Sequence, residues 1–226
     1  MNSTVMALTE SLWPESFRLL GWLGLLFLGW RWWQSGDWRK LGDSSSLNVF
    51  LAATVALLVL WQIKTGIRTG LSFHLYGIAV LTMMFGFWRA CFAGVLILLA
   101  NALFGRGSLA TLGLDALLVV ALPAAVSWGF YLLLDRKLPN HFFIYVIGNG
   151  FFGGALSVTA IGLATTAAMA LAGAYQLDYL LEHYTPYTVL IAWAEAFSTG
   201  MAVTVMAVYR PQWLETFDDV RYIQNK

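Results

Sequence analysis

From Tyr187 to Tyr209 the chain runs for twenty-three residues with a single charge, Glu195. A helix of about 20 apolar residues spans the hydrocarbon core of a bilayer. In lipid, backbone polar groups must be satisfied within the structure, so only helices and closed barrels cross. The period-two alternation of barrel strands is absent. The chain is therefore expected to be all-α. Its one charge in this run is expected to face a protein interior, because a carboxylate at mid-bilayer costs roughly 2.5–3.5 kcal/mol on insertion scales.

The whole chain repeats this pattern. Of its 226 residues 59% are hydrophobic and only 11% are charged, against about 25% charged in a soluble domain. That shortfall fits a polytopic bundle rather than a soluble domain with one anchor. Apolar segments run over Ser16–Trp33, Leu47–Ile63, Phe73–Trp88, Ala90–Phe104, Leu112–Leu134, Phe142–Leu171 and Tyr187–Tyr209, so about seven transmembrane segments are expected. The third and fourth are short and meet at Trp88-Arg89. Tryptophans cluster at segment ends, as at Trp30, Trp32, Trp33 and Trp38. With the N-terminus outside, nine Lys and Arg fall on the inner side and four (Arg18, Lys64, Arg68 and Arg106) on the outer side, which predicts N-out, C-in. The first ten residues hold no Lys or Arg, so no cleaved leader is expected. The expected organisation is a polar lead-in over 1–12, a transmembrane bundle over 13–214 and a cytoplasmic tail over 215–226.

Several functions are set aside at this point. A net charge of +1 without a basic stripe gives no support to nucleic-acid binding. The single Cys91 cannot form an intrachain disulfide. No P-loop, CxxC, His-x-x-x-His pair or nucleophile elbow is present, so no enzyme activity and no organic cofactor is expected, and ATP use would have to come from partners. Gly148, Gly150, Gly153 and Gly154 give the sixth segment a smooth face suited to close helix packing.

The polar groups within or beside the apolar segments are the functional candidates. Glu195 lies roughly 12 Å into its segment at 1.5 Å per residue, with Ala192, Ser198, Thr199 and Ala202 on the same small, polar face. It is expected to act as an intramembrane polar or relay group, together with Thr188 and Thr199. His74 opens the third segment within Gly70-Leu-Ser-Phe-His-Leu-Tyr-Gly77, and Asp115 stands near the outer end of the fifth. An imidazole with a carboxylate begins a site for a borderline divalent metal such as Ni, Co or Zn, although a complete site takes about four to six ligands. His74 is the main metal candidate and Asp115 the secondary one.

Three blocks resemble a known family. Gly70, Ser72, His74, Leu75 and Gly77 match a Gly-Thr-Ser-Gly-His-Leu-Leu-Gly pattern. Leu103, Phe104, Gly105, Gly107, Leu109, Leu112 and Gly113 match a second, Gly-rich block. Ile191, Glu195 and Thr199 match Ile-Gly-x-Gly-Glu-x-x-x-Thr. In this order, from about Leu47 to Leu214, they resemble the membrane substrate-binding subunits of cobalt and nickel energy-coupling-factor (ECF) transporters, the CbiM/NikM-like family. The resemblance implies uptake of one divalent transition metal as substrate, captured at the outer face of a bacterial cytoplasmic (inner) membrane. It also implies a transmembrane coupling protein and cytoplasmic ATPase subunits as partners. The chain departs from the pattern in beginning Met1-Asn2-Ser3-Thr4 where the family begins Met-His-Ile-Pro-Asp-Gly, and in carrying Asp115 for Asn, Arg106 for an acidic or neutral residue and Thr188 where His is common. Of the metal ligands the resemblance implies, His74 carries over. Two other functions stay open: a non-transporting membrane scaffold or assembly factor, and a transporter of a different substrate on the same fold.

Overall fold

The computed structural model describes residues 10–68, 71–218 and 220–224. Residues 1–9 of the expected lead-in, and Gly70 of the first family block, lie outside them. The architecture is helical apart from one small antiparallel hairpin. Helix α1 covers Glu15–Ser35 and ends on Gly36, and a 3-10 turn follows over Asp37–Gly42. Helix α2 covers Ser44–Leu60 and is capped by the Asp43 carboxylate, which accepts the Ser46 amide. The hairpin pairs β1, Thr65–Arg68, with β2, Leu71–Phe73. Then come α3 (Ile78–Leu103), α4 (Leu112–Lys137), α5 (Ile144–Leu171), the short α6 (Leu177–His183) and α7 (Thr185–Tyr209). By length and composition α3, α4, α5 and α7 are each long and apolar enough to cross a membrane.

Two expectations are corrected here. The bundle is all-helical as expected, but Phe73, expected to open a helical segment, ends β2 of the small hairpin instead. The third and fourth apolar segments are joined as α3, and the break falls at Gly86 rather than at Trp88-Arg89. Gly86 has φ 75° and ψ 175°, a conformation that residues with a Cβ avoid. The contacts of α2 show what the break does. Phe50 packs against both Phe85 and Phe92. Beyond it, Leu57 lies against Gly77, and Gln62 donates to Asn101 at 3.1 Å. Along α2 the partners therefore run backwards before Gly86 and forwards after it. The chain doubles back at Gly86, and the 78–85 half of α3 runs antiparallel to the 87–103 half.

The bundle has two distinct ends. At one, the hairpin, α6, Lys64, Arg106 and Ser108 come together, with Ser108 bonded to the Glu10 side chain. At the other, Lys40 and Arg89 pair with Glu215, and Arg221 with Asp135 at 2.7 Å. The segment expected as a tail contributes to this second end: Thr216, Phe217 and Tyr222 are buried there. The glycines of the former sixth segment pack within the chain, Gly150 on Gly200 and Gly154 on Thr199, so α5 and α7 approach closely. Exposed apolar side chains such as Leu23, Leu26, Leu190, Trp193 and Met201 stand on the outer faces of α1 and α7, as lipid contact requires.

Candidate functional site

The site grows from the extended segment 74–77, which joins the hairpin to the first half of α3. A helix beginning at Ile78 leaves its first amides unsatisfied. Glu195, from the interior of α7, accepts the two amides that lead into this helix. Its Oε2 accepts the Tyr76 amide at 2.8 Å and its Oε1 accepts the Gly77 amide at 2.6 Å. The carboxylate is 1% exposed, and it also sits where a helix N-terminus favours negative charge. Gly77, at φ 64°, lets the chain turn into the helix at this point. Trp61, at the end of α2, donates its Nε1–H to the Tyr76 carbonyl at 2.9 Å. The segment is thus held by α7 on one side and α2 on the other.

His74 stands at the start of this anchored segment. Its ring lies edge-on to Trp61, with centroids 4.8 Å apart, and 4.4 Å from the ring of Tyr76. Both ring nitrogens are buried and neither has a hydrogen-bond partner among the described residues. An imidazolium would bury two unpaired donors there, so the environment favours the neutral ring, the form that ligates metals.

Asp115 lies in the first turn of α4, where its Oδ2 accepts the Thr111 hydroxyl at 2.9 Å. Lys64 stands between the two candidates electrostatically, since its charge acts on both His74 and Asp115. Burial lowers the Lys64 pKa, while the Asp115 charge opposes that shift. The Lys64 ammonium also reaches the Arg106 carbonyl, at 3.4 Å. Thr199 follows Glu195 by one turn of α7, where its side chain is buried against Gly154 and its hydroxyl acts on the Glu195 carboxyl. Thr188 lies two turns before Glu195, bonds to the Tyr184 carbonyl at 3.4 Å and packs on Gly162. The structure therefore gathers Glu195, the 74–77 segment and His74 into one unit. Thr188 is occupied with packing along α7. No group of three or more His, Cys, Asp or Glu side chains gathers among the described residues.

Sequence reasoning missed three participants. Trp61 read only as a tryptophan near a segment end, Lys64 as an orientation signal, and Tyr76 was not singled out. The spacing of Trp61 and Lys64 just before the His74 block was the available signal.

A family described as the cobalt uptake substrate-specific transmembrane region, CbiM, matches residues 16–213. The chain belongs to the CbiM family. Family membership makes it a membrane subunit of a metal-uptake transporter, not an enzyme. A cobalt transport protein CbiM of Clostridium cellulovorans is 28% identical over 178 residues, covering 76% of this chain and 67% of that protein. Two solved structures share the fold. One, described as a truncated transition metal transporter, superposes with a TM-score of 0.76 at 20% identity, covering 88% of this chain and 96% of its own. The other, described as a transition metal transporter, gives 0.73 at 19%, covering 87% and 90%. The CbiM fold thus carries the His74 segment on a helix anchored by Glu195.

Proposed function

We propose that this CbiM-family chain is the substrate-capturing membrane subunit of an ECF-type transporter that takes up a divalent transition metal, cobalt or nickel before zinc. The observation that carries the reading is His74, whose two ring nitrogens are buried without a partner among the described residues, on a segment whose backbone is tied down by Glu195 and Trp61. A ligand held in one geometry loses little freedom when it binds. His74 is the ligand in this reading. Asp115 is a secondary source of negative charge, linked to His74 through the Lys64 charge that acts on both, Glu195 and Thr199 support the segment, and Thr188 maintains helix packing. Transport then requires a transmembrane coupling protein and cytoplasmic ATPase subunits, because the chain holds no P-loop.

The proposed topology in the bacterial inner membrane is seven passes, N-out and C-in, with the hairpin end outside. The chain reversal at Gly86 supports it, since the two halves of α3 then count as a short descending and a long ascending pass. The proposed organisation is a lead-in over 1–12, a bundle over 13–214 and an inner segment over 215–226.

The test is metal content and Co²⁺ or Ni²⁺ affinity of the detergent-purified protein, wild type beside His74→Ala. One equivalent of metal in the wild type, lost in the variant, is the expected result. No metal in either folded protein overturns the reading. A second reading, a non-transporting membrane scaffold, is favoured by the lack of three clustered ligand side chains among the described residues. Recovery with a different membrane complex, without coupling or ATPase subunits, would support that reading.

A further inference from the structure

The 78–85 half of α3 is held at both ends by the same distant part of the chain. At 1.5 Å per residue it is about 12 Å long. Ile78, Ala79, Leu81, Thr82, Met83, Met84 and Phe85 are buried, and Val80, Leu81 and Met84 line a cavity of about 690 Å³ between this half-helix, α2 and α7. Its first end carries the His74 segment, with the Tyr76 and Gly77 amides on Glu195. A helix also leaves its last carbonyls unsatisfied. Here they are taken by residues just beyond α7. The Glu215 amide donates to the Met84 carbonyl at 3.1 Å, and the Thr216 amide to the Met83 carbonyl at 3.4 Å. The Thr216 hydroxyl donates to that same Met83 carbonyl at 2.9 Å and so receives the Tyr145 hydroxyl at 2.7 Å.

The Glu215 side chain anchors this cap to two further elements. It pairs with Lys40, from the 3-10 turn between α1 and α2, and with Arg89, from the second half of α3. Arg89 is almost wholly buried, and Glu215 is the acid that pairs with it among the described residues. A short helix with both ends bonded moves as a unit, because its own hydrogen-bonded backbone carries a displacement from one end to the other.

We propose that Glu215 and Thr216 are positioning residues for the His74 segment, acting from the opposite end of the bundle through the 78–85 half-helix. This rests on the reading of His74 as the substrate ligand. Together, Glu195 and the 215–216 cap set where His74 stands. Whatever engages the Glu215 end, by drawing Lys40, Arg89 or Glu215 away, loosens the His74 segment and lowers its hold on the metal.

Hydrogen exchange on the purified full chain tests this without requiring metal, and Co²⁺ titration of the same samples reads the consequence. Thr216→Val removes the hydroxyl alone, and Glu215→Gln removes the charge while keeping the backbone amide. In both, amides over 74–77 are expected to exchange about tenfold faster, while those of the α5 interior over 153–171 do not change. Co²⁺ affinity is expected to fall about fivefold. Tyr145→Phe, which removes only the outer hydroxyl, gives a milder rise over 74–77 and replaces Thr216→Val if that variant does not fold. Unaltered exchange over 74–77 overturns the positioning role, whatever the Co²⁺ affinity does, as does a rise that extends equally through 153–171. Faster exchange confined to 74–77, with Co²⁺ binding unchanged there and in His74→Ala, supports the positioning role and overturns His74 as the ligand.

Discussion

The Oε1 of Glu195 lies 2.6 Å from the amide nitrogen of Gly77, across 118 positions of sequence. The buried carboxylate of α7 is thus matched not to a cation but to the amides that lead into a helix beginning inside the bundle. Buried charge is tolerated where hydrogen bonds satisfy it, and a helix N-terminus provides donors and a favourable dipole together.

Replacing Glu195 should therefore act on the His74 segment before it acts on the bundle. In Glu195→Gln one acceptor oxygen becomes a donor facing a backbone amide. Leaving that amide unpaired costs about 1–3 kcal/mol. The expected outcome is a melting temperature several degrees lower and Co²⁺ affinity reduced at least tenfold, with Glu195→Ala worse in both. Thermal unfolding in detergent and calorimetric titration check it. Wild-type affinity in a folded Glu195→Gln would show that the anchor is dispensable for capture.

The positive charge of Lys64 acts on both metal candidates. Removing it should favour a divalent cation. Lys64→Gln is expected to raise Co²⁺ affinity about threefold to tenfold at low ionic strength, the difference shrinking as salt screens the interaction. Titrations at two salt concentrations measure this. A fall in affinity would instead make Lys64 part of what holds the segment in place.

Gly86 carries the chain reversal at φ 75° and ψ 175°. A side chain there meets backbone strain of about 1–3 kcal/mol whatever space surrounds it. Gly86→Ala should lower the melting temperature and broaden size-exclusion profiles. Gly129→Ala, at a helical glycine with open space around it, should leave both unchanged. Equal behaviour of the two variants would remove the argument for the reversal.

The family blocks were legible because they are local. His74 with its flanking glycines and Glu195 with Thr199 could be aligned by residue type and spacing, and a transport subunit followed from them. The role of Glu195 was not legible. Its partners are main-chain amides of Tyr76 and Gly77, and a main-chain amide leaves no mark in composition. The 215–216 cap was hidden for the same reason: the carbonyls of Met83 and Met84 and the amides of Glu215 and Thr216 are present at every position of every chain. Thr188, read as a polar candidate, turned out to be packed against Gly162, because a threonine whose hydroxyl bonds its own helix can face a smooth neighbour.

By itself the sequence determined that this chain is a helical membrane protein with a polar interior, since hydrophobic length and the cost of a buried charge are properties of short stretches. Only the tertiary structure decided that the reversal between the third and fourth segments falls at Gly86, and that Glu195 fixes the segment bearing His74. Both depend on which distant backbone groups meet. That is settled by how the helices pack once they share a bilayer, not by any one helix's own residues.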